Sequence, residues 1–191
     1  MSGPLRQATK IMVIRHAEKP SSPPPPYGIT LEGAREKESL TARGWQRAGA
    51  LASFFAPPNG TFQNPSLAKP QFLYASKPVK HKGSRRPFET ILPLAEKLKI
   101  RINSDFLKFE TESMLEDVFL RDGVVLICWQ REYILEITDQ ILVNKAVAPP
   151  EWPEDRFDMV WVFDRNPSSA QYIFKQIPQS LLTGDLATLM K

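Results

Sequence analysis

Residues 10–18 read K-I-M-V-I-R-H-A-E and join a short apolar run to a charged end. The four apolar residues 11–14 predict a strand buried on both faces, as strands of parallel sheets are. The run stops at Arg15 and His16. Because ligands of open α/β sheets bind beyond the carboxyl ends of the strands, this cation and imidazole predict an anion site at the edge of a sheet. Two such residues also fit an ordinary solvated turn.

The composition is that of an ordinary globular protein. The chain has 191 residues, 42% of them hydrophobic and 24% charged, which predicts a single domain over residues 1–191. The net charge is +4, with 25 Lys and Arg against 21 Asp and Glu. This excess suits a small anionic ligand. No basic block is interleaved with aromatic residues, so we expect no nucleic-acid partner.

The cysteine, the histidines and the apolar segments indicate which compartment and which kinds of site to expect. The single cysteine, Cys128, excludes an internal disulfide and favours a reducing compartment. We see neither the apolar stretch of a signal peptide nor the roughly 18 apolar residues of a membrane span, so we predict a cytoplasmic protein without a membrane partner. The two histidines, His16 and His81, show no metal-ligand spacing, so we expect no metal.

A helical pattern follows the first strand. Residues 40–44, L-T-A-R-G, lead into it, and Thr41 is placed to cap the helix. The apolar face comprises Trp45, Ala48, Leu51, Ala52 and Phe55. Between strand and helix, residues 20–27 contain four consecutive prolines and predict a stiff, extended segment. This segment is a spacer, a ligand for a proline-binding partner, or a wall of the anion site.

A second strand and helix carry more positive charge. Residues 72–75 predict a buried strand, followed by Ser76 and a basic loop that contains His81. A helix begins near Pro87, and Pro93 is expected to kink or divide it. Arg86 lies at the start of this helix, four residues before Thr90. An arginine there can present a bidentate fork to phosphate beside the free backbone N–H groups.

These segments, in this order, resemble the histidine phosphatase superfamily, which has the phosphoglycerate-mutase-like fold. The resemblance covers residues 11 to about 143 and rests on Arg15 and His16, on the Leu-Thr-x-x-Gly turn, and on the spacing of Arg86 and Thr90. The loop from Ser76 to Arg86 is longer than the usual turn. The resemblance implies a three-layer α/β/α sandwich with a central, mainly parallel sheet. Strand patterns near 157–163 and 172–176 predict an added C-terminal hairpin.

The resemblance also implies roles for individual residues. His16 would be phosphorylated during turnover, and Arg15 and Arg86 would hold the phosphoryl oxygens, with Ser76 beside them. Members of the superfamily place an acid for the leaving group near residues 105–121, and Glu112 fits by approximate spacing. The carboxylates of Glu110, Glu112 and Glu116 also have an explanation without catalysis. Residues 113–116 fit a helix capping box, and all three carboxylates can face water. No organic cofactor is expected.

One expected residue is missing. The strand predicted at residues 123–129 should end in a second catalytic histidine, but Gln130 and Arg131 follow it instead. Either side chain can donate a hydrogen bond to a phosphate oxygen. Losing one preorganised donor costs about two to three orders of magnitude in rate. His81 is the other imidazole available, although a lone histidine among lysines is usually a solvated loop residue.

The sequence therefore favours a phosphatase that hydrolyses a phosphomonoester through phosphohistidine on His16, with weakened activity. The alternative is a noncatalytic module that binds phosphate or a phosphorylated ligand, and loss of the second histidine favours it. The expected partner is a small phosphorylated substrate or inorganic phosphate. Sugar phosphates, nucleotides and phosphoproteins all stay open, and the sequence gives no indication of oligomeric state.

Overall fold

A computed structural model describes residues 7–79 and 83–191 of the chain, so the proposed role of His81 falls outside the described residues. The strands are β1 (Ala8–Arg15), β2 (Phe72–Ala75), β3 (Ile102–Asn103), β4 (Gly123–Trp129), β5 (Met159–Arg165) and β6 (Tyr172–Pro178). The helices are α1 (Ala42–Phe55), α2 (Arg86–Leu98), α3 (Thr111–Phe119) and α4 (Arg131–Ile141), with a 3₁₀ helix at Lys145–Val147.

The strands form one six-stranded sheet in the order β3-β2-β4-β1-β5-β6. β3, β2, β4 and β1 run parallel, whereas β5 pairs antiparallel with β1, and β6 antiparallel with β5. The mainly parallel sheet with a C-terminal hairpin is thereby confirmed. Four parallel strands bring the loops that follow them to one edge of the sheet.

Helices cover both faces of the sheet. Ile11 and Val13 of β1 belong to the same apolar cluster as side chains of α3 and α4. Met12 and Ile14, on the opposite face, belong to the cluster that contains side chains of α1 and α2. Successive side chains of a strand point to opposite faces, so the unbroken apolar run is explained by burial on both sides. The predicted three-layer sandwich is confirmed.

The starts of two helices show where local signals succeed and fail. Thr41 caps α1 as predicted, because its hydroxyl accepts a hydrogen bond from the Gly44 amide at 3.1 Å. The capping box predicted for residues 113–116 is wrong, since α3 already begins at Thr111. Glu110 precedes that helix, and its carboxylate accepts from the Leu107 amide at 2.7 Å. Among the helices of the described ranges, none combines the length and apolar composition needed to cross a membrane.

Pro93 does not divide α2, which continues as one helix on both sides of it. Proline has no amide hydrogen and crowds the preceding turn, which costs about 3 kcal/mol in a helix interior. We expect Pro93→Ala to raise the free energy of unfolding by about 1–3 kcal/mol, measured by urea denaturation. Pro87→Ala is the matched control and should give no gain, because Pro87 lies in the first turn of the same helix. A Pro93→Ala protein no more stable than the parent would contradict the expectation.

Candidate functional site

A cavity of about 460 Å³ lies at the edge of the sheet where the parallel strands end. Its lining includes Arg15, His16 and Lys19 after β1, Arg86 at the start of α2, and Gln130 and Arg131 at the start of α4. The segments that the sequence singled out therefore meet around one space. A neighbouring pair of strands accounts for this: Arg15 of β1 lies opposite Trp129 of β4, and the His16 amide donates to the Trp129 carbonyl at 3.1 Å.

His16 has one ring nitrogen occupied and one free for chemistry. Its side chain is 4% exposed, and Nδ1 lies 2.7 Å from the Ala17 carbonyl oxygen. The carbonyl can only accept, so Nδ1 carries the proton and Nε2 keeps its lone pair. Burial, and then the cations of Arg15, Arg86 and Lys19, lower the pKa of His16 to about 3. The imidazole is therefore neutral near pH 7, as a nucleophile must be.

Thr90 holds the peptide that follows His16. Its hydroxyl accepts from the Ala17 amide at 2.8 Å and donates to the Arg86 carbonyl at 2.7 Å. Residues four apart lie on one face of a helix, so the hydroxyl of Thr90 reaches back over the first turn of α2. The spacing of Arg86 and Thr90 thus has two effects: the arginine lies at the cavity, and the threonine fixes the loop that carries the histidine.

The Leu-Thr-x-x-Gly turn fixes the same loop one residue further on. The Thr41 amide and hydroxyl both donate to the Glu18 carbonyl, at 3.0 and 3.2 Å. A β-carbon added to Gly44 would lie 2.7 Å from that same oxygen. Glycine is needed there because the backbone of the loop packs directly against the start of α1. The turn therefore acts by positioning the backbone beyond His16.

The side chain of Glu18 connects the loop after His16 to the C-terminal part of the chain through Arg47. It bonds Arg47 of α1, whose guanidinium also bonds Asp185 at 2.7 and 3.0 Å. Burial acts to raise the pKa of Asp185, but Arg47 and the amides of Leu182 and Leu181 outweigh it and lower the pKa to about 2. The sequence had given no indication that residues 179–191 contribute to the site.

Arg15 is held mainly by the turn after the 3₁₀ helix. Its Nη1 donates to the carbonyls of Glu154 at 2.5 Å, Arg156 at 3.1 Å and Pro153 at 3.3 Å. The guanidinium carbon lies 4.0 Å from the centre of the Phe157 ring. Its buried Nε has no hydrogen-bond partner among the described residues. Burial, followed by repulsion from Arg131, lowers the pKa of Arg15 to about 10.

Arg86 is shared between the cavity and a loop that precedes α1. Its Nη2 donates to the Lys37 carbonyl at 3.1 Å and to the Glu38 carboxylate at 3.2 Å. Nε is buried and unpartnered within residues 7–79 and 83–191. Burial lowers the pKa of Arg86, against the opposing attraction of Glu38 and Glu89. Glu38 also lines the cavity, although the sequence did not single it out.

The strand register distinguishes Gln130 from Arg131. Arg15 and Trp129 are the last pair of β1 and β4, so Gln130 follows β4 at the level at which His16 follows β1. Gln130 is 5% exposed, and its side-chain oxygen has no partner in the described part of the chain. Arg131 is the first residue of α4, and its Nη1 lies 3.4 Å from the Trp152 carbonyl. Both line the cavity, and Gln130 occupies the position beside His16.

Two predicted residues are not brought to the cavity lining. Glu112 is exposed in the first turn of α3, and Ser76 is buried at the end of β2 with its hydroxyl unpartnered among the residues described. The start of α3 turns Glu112 to solvent, so its role as the acid for the leaving group stays a prediction that this placement does not support. The carboxylates that do line the cavity are Glu38 and Glu132.

Two of the loops near the cavity supply residues to its lining, and the proline-rich segment does not. Lys77 and Val79 of the basic loop line the cavity, and so do residues 107–109, which lead from β3 towards α3. The proline-rich residues 21–27 are exposed, and none of them belongs to the lining, so they do not form its wall. Over the described ranges, no group of three or more His, Cys, Asp or Glu side chains is arranged to hold a metal ion.

No protein-family model matches the sequence, and comparison with curated proteins gives no match. Solved structures do match. A protein of Agrobacterium tumefaciens assigned as the phosphohistidine phosphatase SixA is 15% identical, with 83% of this chain and 92% of that one covered and a TM-score of 0.51. A mycobacterial glucosyl-3-phosphoglycerate phosphatase, solved with VO3, is 11% identical, with coverage of 88% and 97% and a TM-score of 0.54.

A third structure, a protein of Escherichia coli K-12 assigned as an alpha-ribazole-5'-P phosphatase, is 12% identical. The match covers 99% of that protein and 92% of this chain, and the TM-score is 0.53. This chain has the phosphoglycerate-mutase-like fold. The fold inferred from its motifs is confirmed.

The buried imidazole of His16 should make the free energy of unfolding depend on pH. The ordinary histidine pKa is 6.5 and that of His16 is about 3, so between these values the unfolded chain binds a proton that the folded protein does not. The free energy of unfolding should therefore fall as the pH falls from 6.5 towards 3, by about 1.4 kcal/mol per pH unit from this group. Urea denaturation at pH 7, 5.5 and 4.5 measures it.

His16→Asn is the control for that titration. Asparagine keeps a donor for the Ala17 carbonyl and has no proton to gain, so its stability should decline less steeply below pH 6.5. Parallel declines in the two proteins would show that His16 does not carry the effect.

The ion pair between Arg47 and Asp185 should also stabilise the folded protein. Both side chains are buried, and breaking a buried pair costs about 3–5 kcal/mol. Since Glu18 still faces Arg47, we expect Asp185→Asn to lower the free energy of unfolding by about 1–3 kcal/mol in urea denaturation. Asp139→Asn, which removes an exposed pair with Lys145, should cost less than about 1 kcal/mol. Equal losses would contradict the stabilising role of Asp185.

Proposed function

We propose that this protein is a phosphatase that hydrolyses a small phosphomonoester through a phosphohistidine intermediate on His16. The observation that carries the proposal is the state of His16: a neutral, buried imidazole whose Nδ1 proton is fixed by the Ala17 carbonyl. Its Nε2 lone pair shares the cavity with the guanidinium groups of Arg15 and Arg86. A nucleophile and two cations around one space suit a phosphoryl group.

Two helices add to the positive potential of the cavity. The first residues of α2 and α4, Arg86 and Arg131, both belong to its lining. The N-terminus of a helix presents unpaired N–H groups and a partial positive charge. Helices of 13 and 11 residues therefore reinforce the two arginines in attracting a phosphate dianion.

In the proposed reaction, His16 Nε2 attacks phosphorus, and the bond between phosphorus and the ester oxygen breaks. The departing alkoxide takes a proton from a carboxyl group of the lining, for which Glu38 and Glu132 are the candidates. Water then attacks phosphorus, gives its proton to that carboxylate, and displaces His16. Free phosphate and the neutral imidazole are restored.

Gln130 is expected to limit the rate of this reaction. A histidine cation at its position would supply a charged donor to the developing negative charge, whereas a glutamine amide supplies a neutral one. We therefore expect hydrolysis to be slow relative to a site with two histidines.

A noncatalytic phosphate-binding module is the second candidate. The absence of a second histidine favours it, because the Gln130 amide can bind a phosphate oxygen but does not supply the charged donor that speeds turnover. Such a module would bind inorganic phosphate through Arg15 and Arg86 without turnover at His16.

Hydrolysis of 4-nitrophenyl phosphate tests the proposal. We expect His16→Ala to lower kcat at least 100-fold, because no nucleophile remains. We expect Gln130→His to raise kcat by about 10- to 100-fold, since it restores a charged donor beside His16. Arg131→His is the matched control at the next residue and should give no increase.

Equal rates for the parent and His16→Ala proteins would end the catalytic proposal. Calorimetric titration with phosphate would then test the module, which requires binding that Arg86→Met weakens. An increase with Arg131→His and none with Gln130→His would contradict the positions assigned from the strand register.

A further inference from the structure

The cavity extends well beyond the room that a phosphoryl group needs. Its lining runs from His16, after β1, to Lys77 and Val79, after β2, and to residues 107–109, whose Lys108 carbonyl accepts from the Trp129 indole at the end of β4. β1 and β2 are two strand steps apart in the sheet, which at about 4.8 Å per step is about 10 Å. A volume of about 460 Å³ falls in the range of pockets that enclose whole organic ligands. The organic part of a substrate bound at His16 therefore has room to extend towards the loop after β2 and residues 107–109.

The end of the cavity away from His16 carries exposed apolar side chains. Phe109 is 59% exposed and Val79 is 38% exposed, and both line the cavity. An exposed aromatic ring at the rim of a polar cavity offers a flat surface on which another ring can stack. Stacking of a nucleobase on an aromatic side chain strengthens binding by about 5- to 150-fold.

The same end carries positive charge separate from that around His16. Lys77 and Lys108 line the cavity, and both are exposed. Lys108 lies 3.8 Å from the Glu132 carboxylate, while no ion pair of Lys77 is found within the described ranges. Arg15, Arg86 and Lys19 are the cations that most affect the pKa of His16, and the two lysines are not among them. Lys77 can therefore meet a second negative group, and Lys108 can meet it by exchanging its exposed contact with Glu132.

On the basis of the proposed phosphatase function, we propose that the substrate is a nucleotide with a second phosphate: its reacting phosphate at His16, its base against Phe109, and its second phosphate at Lys77 and Lys108. A nucleotide joins the three features in one small molecule. A sugar bisphosphate leaves Phe109 without a stacking partner, and a simple aryl phosphate leaves both lysines without an anion.

Four ligands separate these features. Ribose 5-phosphate has neither feature, AMP has the base, glucose 1,6-bisphosphate has the second phosphate, and adenosine 3′,5′-bisphosphate has both. Calorimetric titration of the His16→Asn protein measures their affinities without turnover. We expect adenosine 3′,5′-bisphosphate to bind at least tenfold more tightly than each of the other three. A tighter or equal affinity for glucose 1,6-bisphosphate or AMP would overturn the proposal.

Variants assign each feature to its residue. Phe109→Ala should weaken AMP and adenosine 3′,5′-bisphosphate by about fivefold or more, and leave ribose 5-phosphate unchanged. Lys77→Met and Lys108→Met should weaken the two bisphosphates about threefold or more, an effect that salt reduces, and leave AMP unchanged. The controls are Leu189→Ala, at an exposed apolar residue, and Lys145→Met, at an exposed lysine; neither residue lines the cavity. Losses of the same size in the controls would overturn the assignment.

The hydrolysis assay keeps the two proposals apart. Four equal affinities together with His16-dependent hydrolysis of 4-nitrophenyl phosphate would overturn the nucleotide proposal and leave the phosphatase proposal intact. Absence of both hydrolysis and phosphate binding would overturn the phosphatase proposal, and the nucleotide proposal with it.

Discussion

The hydrogen bond from the Ala17 amide to the Thr90 hydroxyl joins the two segments that carry His16 and Arg86. It fixes the Ala17 peptide, whose carbonyl in turn holds Nδ1 of His16, so the direction of the Nε2 lone pair depends on a threonine of another helix. The same hydroxyl bonds the carbonyl of Arg86 and thereby ties the backbone of that arginine to the loop. One side chain therefore sets the relative positions of the His16 imidazole and the Arg86 backbone. The turn at the start of α1 restrains the next residue, Glu18, in the same way.

Charge around His16 is positive and only partly neutralised. Burial lowers the pKa of Arg15 and of Arg86, which shows that both cations are held where water solvates them poorly. Carbonyl groups and the Glu38 carboxylate meet some of their donors, yet the Nε of each arginine stays unpartnered among the described residues. An anion that enters would satisfy these donors and relieve the repulsion between cations. The neutral imidazole fits this environment, because a third buried cation would be costly.

Local patterns predicted most of the framework. The buried strands, the Thr41 cap and the C-terminal hairpin each depend on a few adjacent residues, and they are confirmed. The predicted start of α3 was wrong, because α3 begins two residues before Ser113, after Glu110, which makes no side-chain capping hydrogen bond that would mark the start. Glu38 and the position of Gln130 required the folded chain, since the first depends on a contact 48 residues away and the second on strand pairing. No periodic signal in residues 179–191 reports that Asp185 supports Arg47.

The contact between Arg47 and Asp185 joins residues 138 positions apart. During synthesis on the ribosome, Arg47 and Glu18 emerge long before the carboxylate that completes their network. At about 5–20 residues per second, the interval is roughly 7 to 28 s. A nascent chain in this interval holds a guanidinium destined for burial with only one of its two acidic neighbours. The buried ion-pair network that supports the loop after His16 is thus completed only when residue 185 has been made, long after the loop itself.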